Sequence, residues 1–261
     1  PKELLPVLDT PLIQFAMDEA RTAGIDRMVF VNHPSKAAIE RHVRHDHALH
    51  AQLLKKGKAE TAEALAGMAL ARHEEAVFVH QEAPLGLGHA VLRAREAVGD
   101  APFAVVLPDD LILGEPGCLS EMLEAQARAG GHLVAAMDVP RAEVGAYGVL
   151  RPVERSGRLI RAAGMVEKPA PAEAPSTLAV VGRYVLDPSI FDDLARQAPG
   201  AGGEIQFTDA IAAGAARVGL SGFAFSGLRF DCGSKTGMLA ATLHVARMRG
   251  MAPEGAAVAA E

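Results

Sequence analysis

The chain has 261 residues, 49% of them hydrophobic, enough to fill a substantial core in one large domain or two small ones. Its formal net charge of -6 disfavours a nucleic-acid partner, which needs clustered lysines and arginines, and 4% aromatics without tryptophan argue against single-strand stacking platforms. No apolar run approaches the roughly 20 residues of a membrane span and no secretory leader pattern is present, so a cytoplasmic protein without membrane or nucleic-acid partners is expected; two distant cysteines suggest neither disulfides nor zinc.

Within residues 11–23, Leu12, Phe15, Ala16 and Ala20 recur at helical spacing, and Gly24 follows where a helix C-terminal glycine belongs. Met28-Val29-Phe30-Val31 reads as a buried strand, residues 34–44 as a helix, and 47–72 as one or two more. His42, His45, His47 and His50 fall here, but their spacing spreads them around a helix, which favours a solvated face over a metal cluster. Val77-Phe78-Val79 is a second strand, 88–98 a helix, and 103–107 a third buried strand. Apolar strands separated by helices imply an α/β fold with a mostly parallel sheet covered on both faces. Beyond Pro116 the pattern is mixed, with a helix to about Ala129 and strands near 133–137, 148–150, 159–166 and 178–186. Helices follow at 188–195, 208–218 and 233–249. Residues 1–250 are expected to form one domain, with a low-complexity flexible tail over 251–261. A doubly wound domain ought to open with a strand and a phosphate-binding loop, whereas Pro1-Lys2-Glu3 leads straight to a helix; a further N-terminal segment is therefore expected in the natural protein.

Four motifs suit chemistry. Leu107-Pro108-Asp109-Asp110 ends a buried strand, where open α/β sheets bind ligands. Carboxylates there suit Mg²⁺, which combines one or two Asp groups with substrate phosphates, and extended backbone lets only one of the pair point at it. The tetrapeptide alone fits a turn or a helix-capping pair equally well. Asp231, in Phe230-Asp231-Cys232-Gly233, offers a second carboxylate, but taken singly it reads better as the N-cap of the last helix. In residues 81–90, Gly86 and Gly88 let backbone approach a base or phosphate, and the Gln81 amide suits a pyrimidine edge; neither a dinucleotide fingerprint nor a P-loop is present. Glu167-Lys168, before the turn at Pro169, fits either a sugar-hydroxyl acceptor beside a phosphate partner or a solvated charge pair. Thr208 and Asp209 read as the cap and first-turn acid of a helix.

PKELLPVLDTPLIQFAMDEA, GLGHAV, LPDDLIL, AYGV, VEKP, LAVVGRYVL, GGEIQFTDAI and FDCGSKTG, in that order, resemble the bacterial UTP-glucose-1-phosphate uridylyltransferases over nearly the whole chain. The resemblance implies a nucleotide-diphospho-sugar transferase fold, Rossmann-like, with a mixed, mostly parallel sheet flanked by helices. It implies Mg²⁺-dependent uridylyl transfer from UTP to glucose 1-phosphate by a homo-oligomer. By position it implies Lys2 on the phosphates of UTP, Gln81 and Gly86 at the uracil, and Asp109 and Asp231 on Mg²⁺. Gly148, Glu167 and Val180 would meet the glucosyl group and Lys168 its phosphate, with Lys2, Asp109 and Lys168 the catalytic set. The family's glycine-rich GxGTRxxPxT segment is absent from these residues. Rival readings are a thymidylyltransferase on the same fold and a noncatalytic nucleotide-sugar-binding homologue, against which Asp109, Asp231 and Lys168 argue. The missing dinucleotide fingerprint speaks against a dehydrogenase.

Overall fold

A computed structural model describes residues 1–71 and 73–251. Its strands are β1 (Pro6–Val7), β2 (Thr10–Pro11), β3 (Arg27–Asn32), β4 (Glu75–His80), β5 (Phe103–Val106), β6 (Asp110–Leu113), β7 (His132–Asp138), β8 (Gly148–Ser156), β9 (Leu159–Glu167), β10 (Leu178–Leu186), β11 (Leu220–Ala224) and β12 (Leu228–Asp231). Its α-helices are α1 (Leu12–Thr22), α2 (Ala37–Val43), α3 (His47–Lys55), α4 (Ala59–Met68), α5 (Gly86–Arg93), α6 (Arg95–Val98), α7 (Cys118–Ala129), α8 (Ile190–Arg196), α9 (Phe207–Val218) and α10 (Lys235–Met248). The 47–72 stretch therefore holds two helices, with Arg72 outside the described residues, and the helix expected from 88 begins at Gly86 and breaks at Ala94. The expected tail falls almost wholly on 252–261, outside the described residues. Among the described residues no helix is long and apolar enough to cross a membrane.

The main sheet runs β5-β10-β7-β11-β9-β8, and β3 and β4 form a separate parallel pair. Within the main sheet only β7 and β11 are parallel, so the sheet is mixed rather than mostly parallel. A continuous apolar run reports that both faces of a strand are covered but carries no information about its direction. Direction is set by connections such as the two-residue turn between β8 and β9, where Gly157 takes φ +61 and reverses the chain.

Alternation along the strands builds two apolar layers. Val134 and Ala136 of β7 with Val180 and Tyr184 of β10 pack under α8 and α9, whereas Leu133, Ala135, Val181 and Val185 pack against α1 and α7. All nine residues of β10 are buried in consequence. Arg183 of this strand is 1% exposed, with Nη2 donating to Glu19 of α1 at 2.7 Å and Nη1 to the Leu107 carbonyl at 3.1 Å. That buried pair fastens α1 to the strand exit at residues 107–109. The expected burial of β3 and β5 is only partial: residues 29–31 and 103–106 are all half-buried. Their side chains border a cavity between the two strands, described below.

Candidate active site

After β5 the chain turns through residues 107–109 into β6, which pairs antiparallel with β12 and sets Asp110 opposite Asp231. The Cys232 N–H donates to the Asp109 carbonyl at 2.8 Å, closing the pairing beyond the strand. Two carboxylates far apart in sequence thereby converge on Gly233, where an added Cβ would stand 3.1 Å from Asp231 Oδ1 and 3.5 Å from Asp109 Oδ2. Lys2 Nζ donates to Asp109 Oδ2 at 2.5 Å. That hydrogen bond, helped by the charges of Asp109, Glu3 and Asp231 and opposed by partial burial, holds the Lys2 pKa above its ordinary value.

Asp231 does not cap the last helix. α10 begins at Lys235, and Ser234 is its cap, with Oγ accepting from the Gly237 N–H at 3.0 Å. Asp109 and Asp110 divide their work. Asp110 turns inward, accepting from the Gly182 N–H at 2.7 Å and from Arg229 Nε at 2.6 Å. Burial works against the Arg229 charge, but Asp110 and Tyr147 outweigh it and hold that pKa above the ordinary value.

At the start of α5, Gln81 Nε2 donates to the Gly86 carbonyl at 3.2 Å and lies 2.9 Å from His89 Nδ1. Gly86 adopts φ +91, and a Cβ on it would stand 2.8 Å from Glu204 Cβ; one on Gly88 would stand 2.5 Å from the Ile205 carbonyl. The close approach these glycines permit is thus to the chain's own backbone, sealed by the Gly88 N–H to Ile205 carbonyl bond at 3.1 Å. Gly86→Ala is expected to cost about 1–3 kcal/mol through left-handed strain and this contact, read as a lowered midpoint in thermal unfolding.

Opposite lies a second polar group. Lys168 has φ +44, a left-handed residue that re-aims the chain after β9, so that adjacent Glu167 and Lys168 line one cavity despite strand alternation. Glu167 Oε2 accepts from Thr208 Oγ1 at 2.5 Å. Thr208 is therefore not the helix cap: α9 starts one residue earlier, at Phe207, which places Thr208 inside its first turn and frees the hydroxyl for Glu167. A Cβ on Gly148 would stand 3.3 Å from that hydroxyl and 3.4 Å from Glu167 Oε2, so the glycine leaves this pair room. Burial, reinforced by Glu167, raises the Asp209 carboxyl pKa.

Lys2, Gln81, Gly86 and Asp109 line a cavity of about 1240 Å³. Gly148, Glu167, Lys168, Val180 and Asp231 line one of about 380 Å³. Leu87, Leu107 and Glu204 border both, so the cavities adjoin beside the paired carboxylates. Elsewhere the rings of His47 and His50 lie 4.2 and 5.2 Å from that of His45, closer than helical spacing suggests because His45 precedes α3. His42 instead meets Gln14 Oε1 at 3.0 Å. Among the described residues no three His, Cys, Asp or Glu side chains are grouped to hold a metal by themselves.

The model of the family described as nucleotidyl transferase matches residues 1–247. The chain belongs to that family. This nucleotidyl transferase is 39% identical over 235 residues to the UTP--glucose-1-phosphate uridylyltransferase of Komagataeibacter xylinus, covering 90% of this chain and 82% of that protein. It is similar to the UTP-bound UGPase from Acinetobacter baumannii, with TM-score 0.87 and 37% identity over 95% of this chain and 86% of that one. A UDP-glucose pyrophosphorylase complexed with UDP-glucose gives TM-score 0.86 at 35% identity, over 95% and 91% of the two chains.

The candidate site also contains residues that sequence reasoning passes over. Arg229, Tyr147 and Glu204 all line it. No local pattern marks an isolated Arg in a four-residue strand. The one available signal was its position two residues before Asp231, which puts both side chains on the same side of β12.

Proposed function

We propose that this nucleotidyl transferase moves a uridylyl group from UTP to glucose 1-phosphate, giving UDP-glucose and pyrophosphate in the cytoplasm. The observation that carries the reading is the meeting of two cavities, one bearing Lys2, Gln81 and Gly86 and the other Glu167 and Lys168, at the Asp109 and Asp231 carboxylates. The printed names of its relatives support the same substrates.

In this reading the Gln81 amide, held by His89, meets the uracil edge, and Gly86 fixes the loop beneath it. Gly148 and Val180 border the glucosyl group while Glu167 accepts from its hydroxyls. An ionised oxygen of glucose 1-phosphate attacks the α-phosphorus of UTP as the bond from that phosphorus to the β-phosphate oxygen breaks. The nucleophile is already charged, so no protein general base is required. The chain's task is to align two anions and offset their repulsion, with Lys168 on the sugar phosphate and Lys2 the cation nearest the triphosphate side. Two converging carboxylates, with no third grouped His, Cys, Asp or Glu among the described residues, suit Mg²⁺, which completes its shell with phosphate and water oxygens. Asp109 and Asp231 would hold it, and when bound it supplies neutralising charge to the triphosphate.

Pyrophosphate release by the whole chain tests this, comparing UTP with dTTP and glucose 1-phosphate with galactose 1-phosphate, with and without Mg²⁺. Turnover is expected to be fastest with UTP and glucose 1-phosphate and to require Mg²⁺. Faster turnover with dTTP moves the assignment to thymidylyl transfer, and no product from any pair overturns it. Thr208→Val removes the proton donor that holds Glu167 and is expected to raise KM for glucose 1-phosphate about tenfold, leaving KM for UTP unchanged in the same assay.

A further inference from the structure

Lys168 owes its place in the smaller cavity to its backbone. A φ of +44 is costly for a residue with a Cβ, so groups outside Lys168 must hold it there. Its own side chain does not: Nζ lies 3.8 Å from Glu167 Oε1, beyond hydrogen-bond reach, and the side chain is 63% exposed. The hold comes from the main chain. The Lys168 N–H donates to the Tyr147 carbonyl at 2.9 Å, one step beyond the Gly148 and Glu167 pairing that ends the β8–β9 ladder.

Tyr147 in turn needs an anchor. It follows a 3-10 turn over Arg141–Ala146 in which only Val144 is buried, and its N–H bonds the Val144 carbonyl at 3.1 Å. The anchor is its side chain, which lines the same cavity as Lys168. Its hydroxyl accepts from Arg229 Nη1 at 3.0 Å, and the guanidinium carbon lies 5.4 Å from the ring centroid, within cation–π range. Arg229 is fixed by Asp110, which accepts from its Nε at 2.6 Å and from the Gly182 N–H at 2.7 Å. A series of bonded groups therefore runs from β10 through Asp110, Arg229 and Tyr147 to the Lys168 amide. Two of its members sit on the strands beside the paired carboxylates: Asp110 follows Asp109, and Arg229 precedes Asp231 by two residues.

We propose that Tyr147 is a positioning residue for Lys168, and that its contact with Arg229 sets the ammonium's place relative to Asp109 and Asp231. The inference rests on the reading above in which Lys168 meets the sugar phosphate. Tyr147 touches no reacting atom in this role. Its hydroxyl, held by Arg229, fixes the residue, and its carbonyl fixes the left-handed backbone at 168. The ammonium is thereby aimed into the cavity rather than into solvent.

Tyr147→Phe keeps the ring and the carbonyl and removes the hydroxyl alone. Amide hydrogen exchange at Lys168 reads the backbone directly, and calorimetric Kd values for UDP-glucose and UTP read the consequence without turnover. Exchange at Lys168 is expected to speed about tenfold and Kd for UDP-glucose to rise about fivefold, the size of one lost hydrogen bond, with Kd for UTP unchanged. Lys168→Met is expected to weaken UDP-glucose binding about 10–100-fold. Adding Tyr147→Phe to it should weaken binding no further, because the charge being aimed is gone. The unfolding midpoint of Tyr147→Phe falls as Arg229 loses a partner, but a purely structural effect on binding would persist in the Lys168→Met background. Unchanged exchange at Lys168, equal losses for the two ligands, or effects that multiply in the double variant overturn the proposal. Unweakened UDP-glucose binding by Lys168→Met overturns it too, by removing the phosphate role it serves. The expected pattern in a chain that releases no pyrophosphate upholds the positioning role and overturns only the transfer reaction.

Discussion

Asp109→Ala is expected to lower kcat by about 10²–10³-fold while leaving thermal stability nearly unchanged. The stability half follows from exposure. The Asp109 carboxylate pairs with Lys2, and the two side chains are 30% and 58% exposed, so solvent screens the pair and its loss costs about 0–1 kcal/mol. The backbone contributions are untouched, because the Cys232 N–H bonds the Asp109 carbonyl rather than its side chain. The activity half follows from position. Asp109 and Asp231 place two carboxylates where the cavities adjoin, and removing Asp109 takes away half of the protein's share of the proposed cation site. Asp109→Asn keeps the volume without the charge and should be nearly as inactive. Steady-state kinetics and thermal unfolding on one preparation check both halves; near-normal kcat in either variant would falsify the role given to this carboxylate.

How much of this was legible in the sequence depends on the kind of signal. Long apolar runs such as β7 and β10, and α1 with its closing Gly24, declare themselves because burial on one or both faces dictates residue type along their whole length. The two-residue strands β1 and β2 and the four-residue strands β6 and β12 are too short for periodicity, yet the last pair brings Asp109 and Asp231 together. The roles of Asp231 and Thr208 turned on where a helix begins. A shift of one residue in α9 frees the Thr208 hydroxyl, and Ser234 displaces Asp231 as the cap because α10 starts only at Lys235. Such boundaries are decided by tertiary packing, which local propensity does not encode. The left-handed Lys168 is a further case: alternation alone would separate Glu167 from Lys168, and a single residue with φ +44 reunites them.

Asp110→Ala is expected to act in the opposite sense from its neighbour, costing about 3–5 kcal/mol of stability. Asp110 and Arg229 form an ion pair whose side chains are only 15% and 5% exposed. Removing the carboxylate leaves a guanidinium in a poorly solvated place with the Tyr147 hydroxyl, 3.0 Å from Nη1, still beside it, and strips the Gly182 N–H of its acceptor. In a chain of this size each kcal/mol moves the midpoint by about 2–4 °C, so a fall of about 10 °C is expected. Assayed well below that midpoint, kcat should drop less than in Asp109→Ala, since both Asp110 carboxylate oxygens are already taken by the Gly182 N–H and Arg229. Arg229→Met in the same background removes the buried guanidinium as well, and the double variant should recover part of the lost stability in urea unfolding. If the double variant is no more stable than Asp110→Ala alone, the cost lies in the Gly182 amide and the cavity left by the side chain. The buried charge would then not be what makes Asp110 indispensable to the fold.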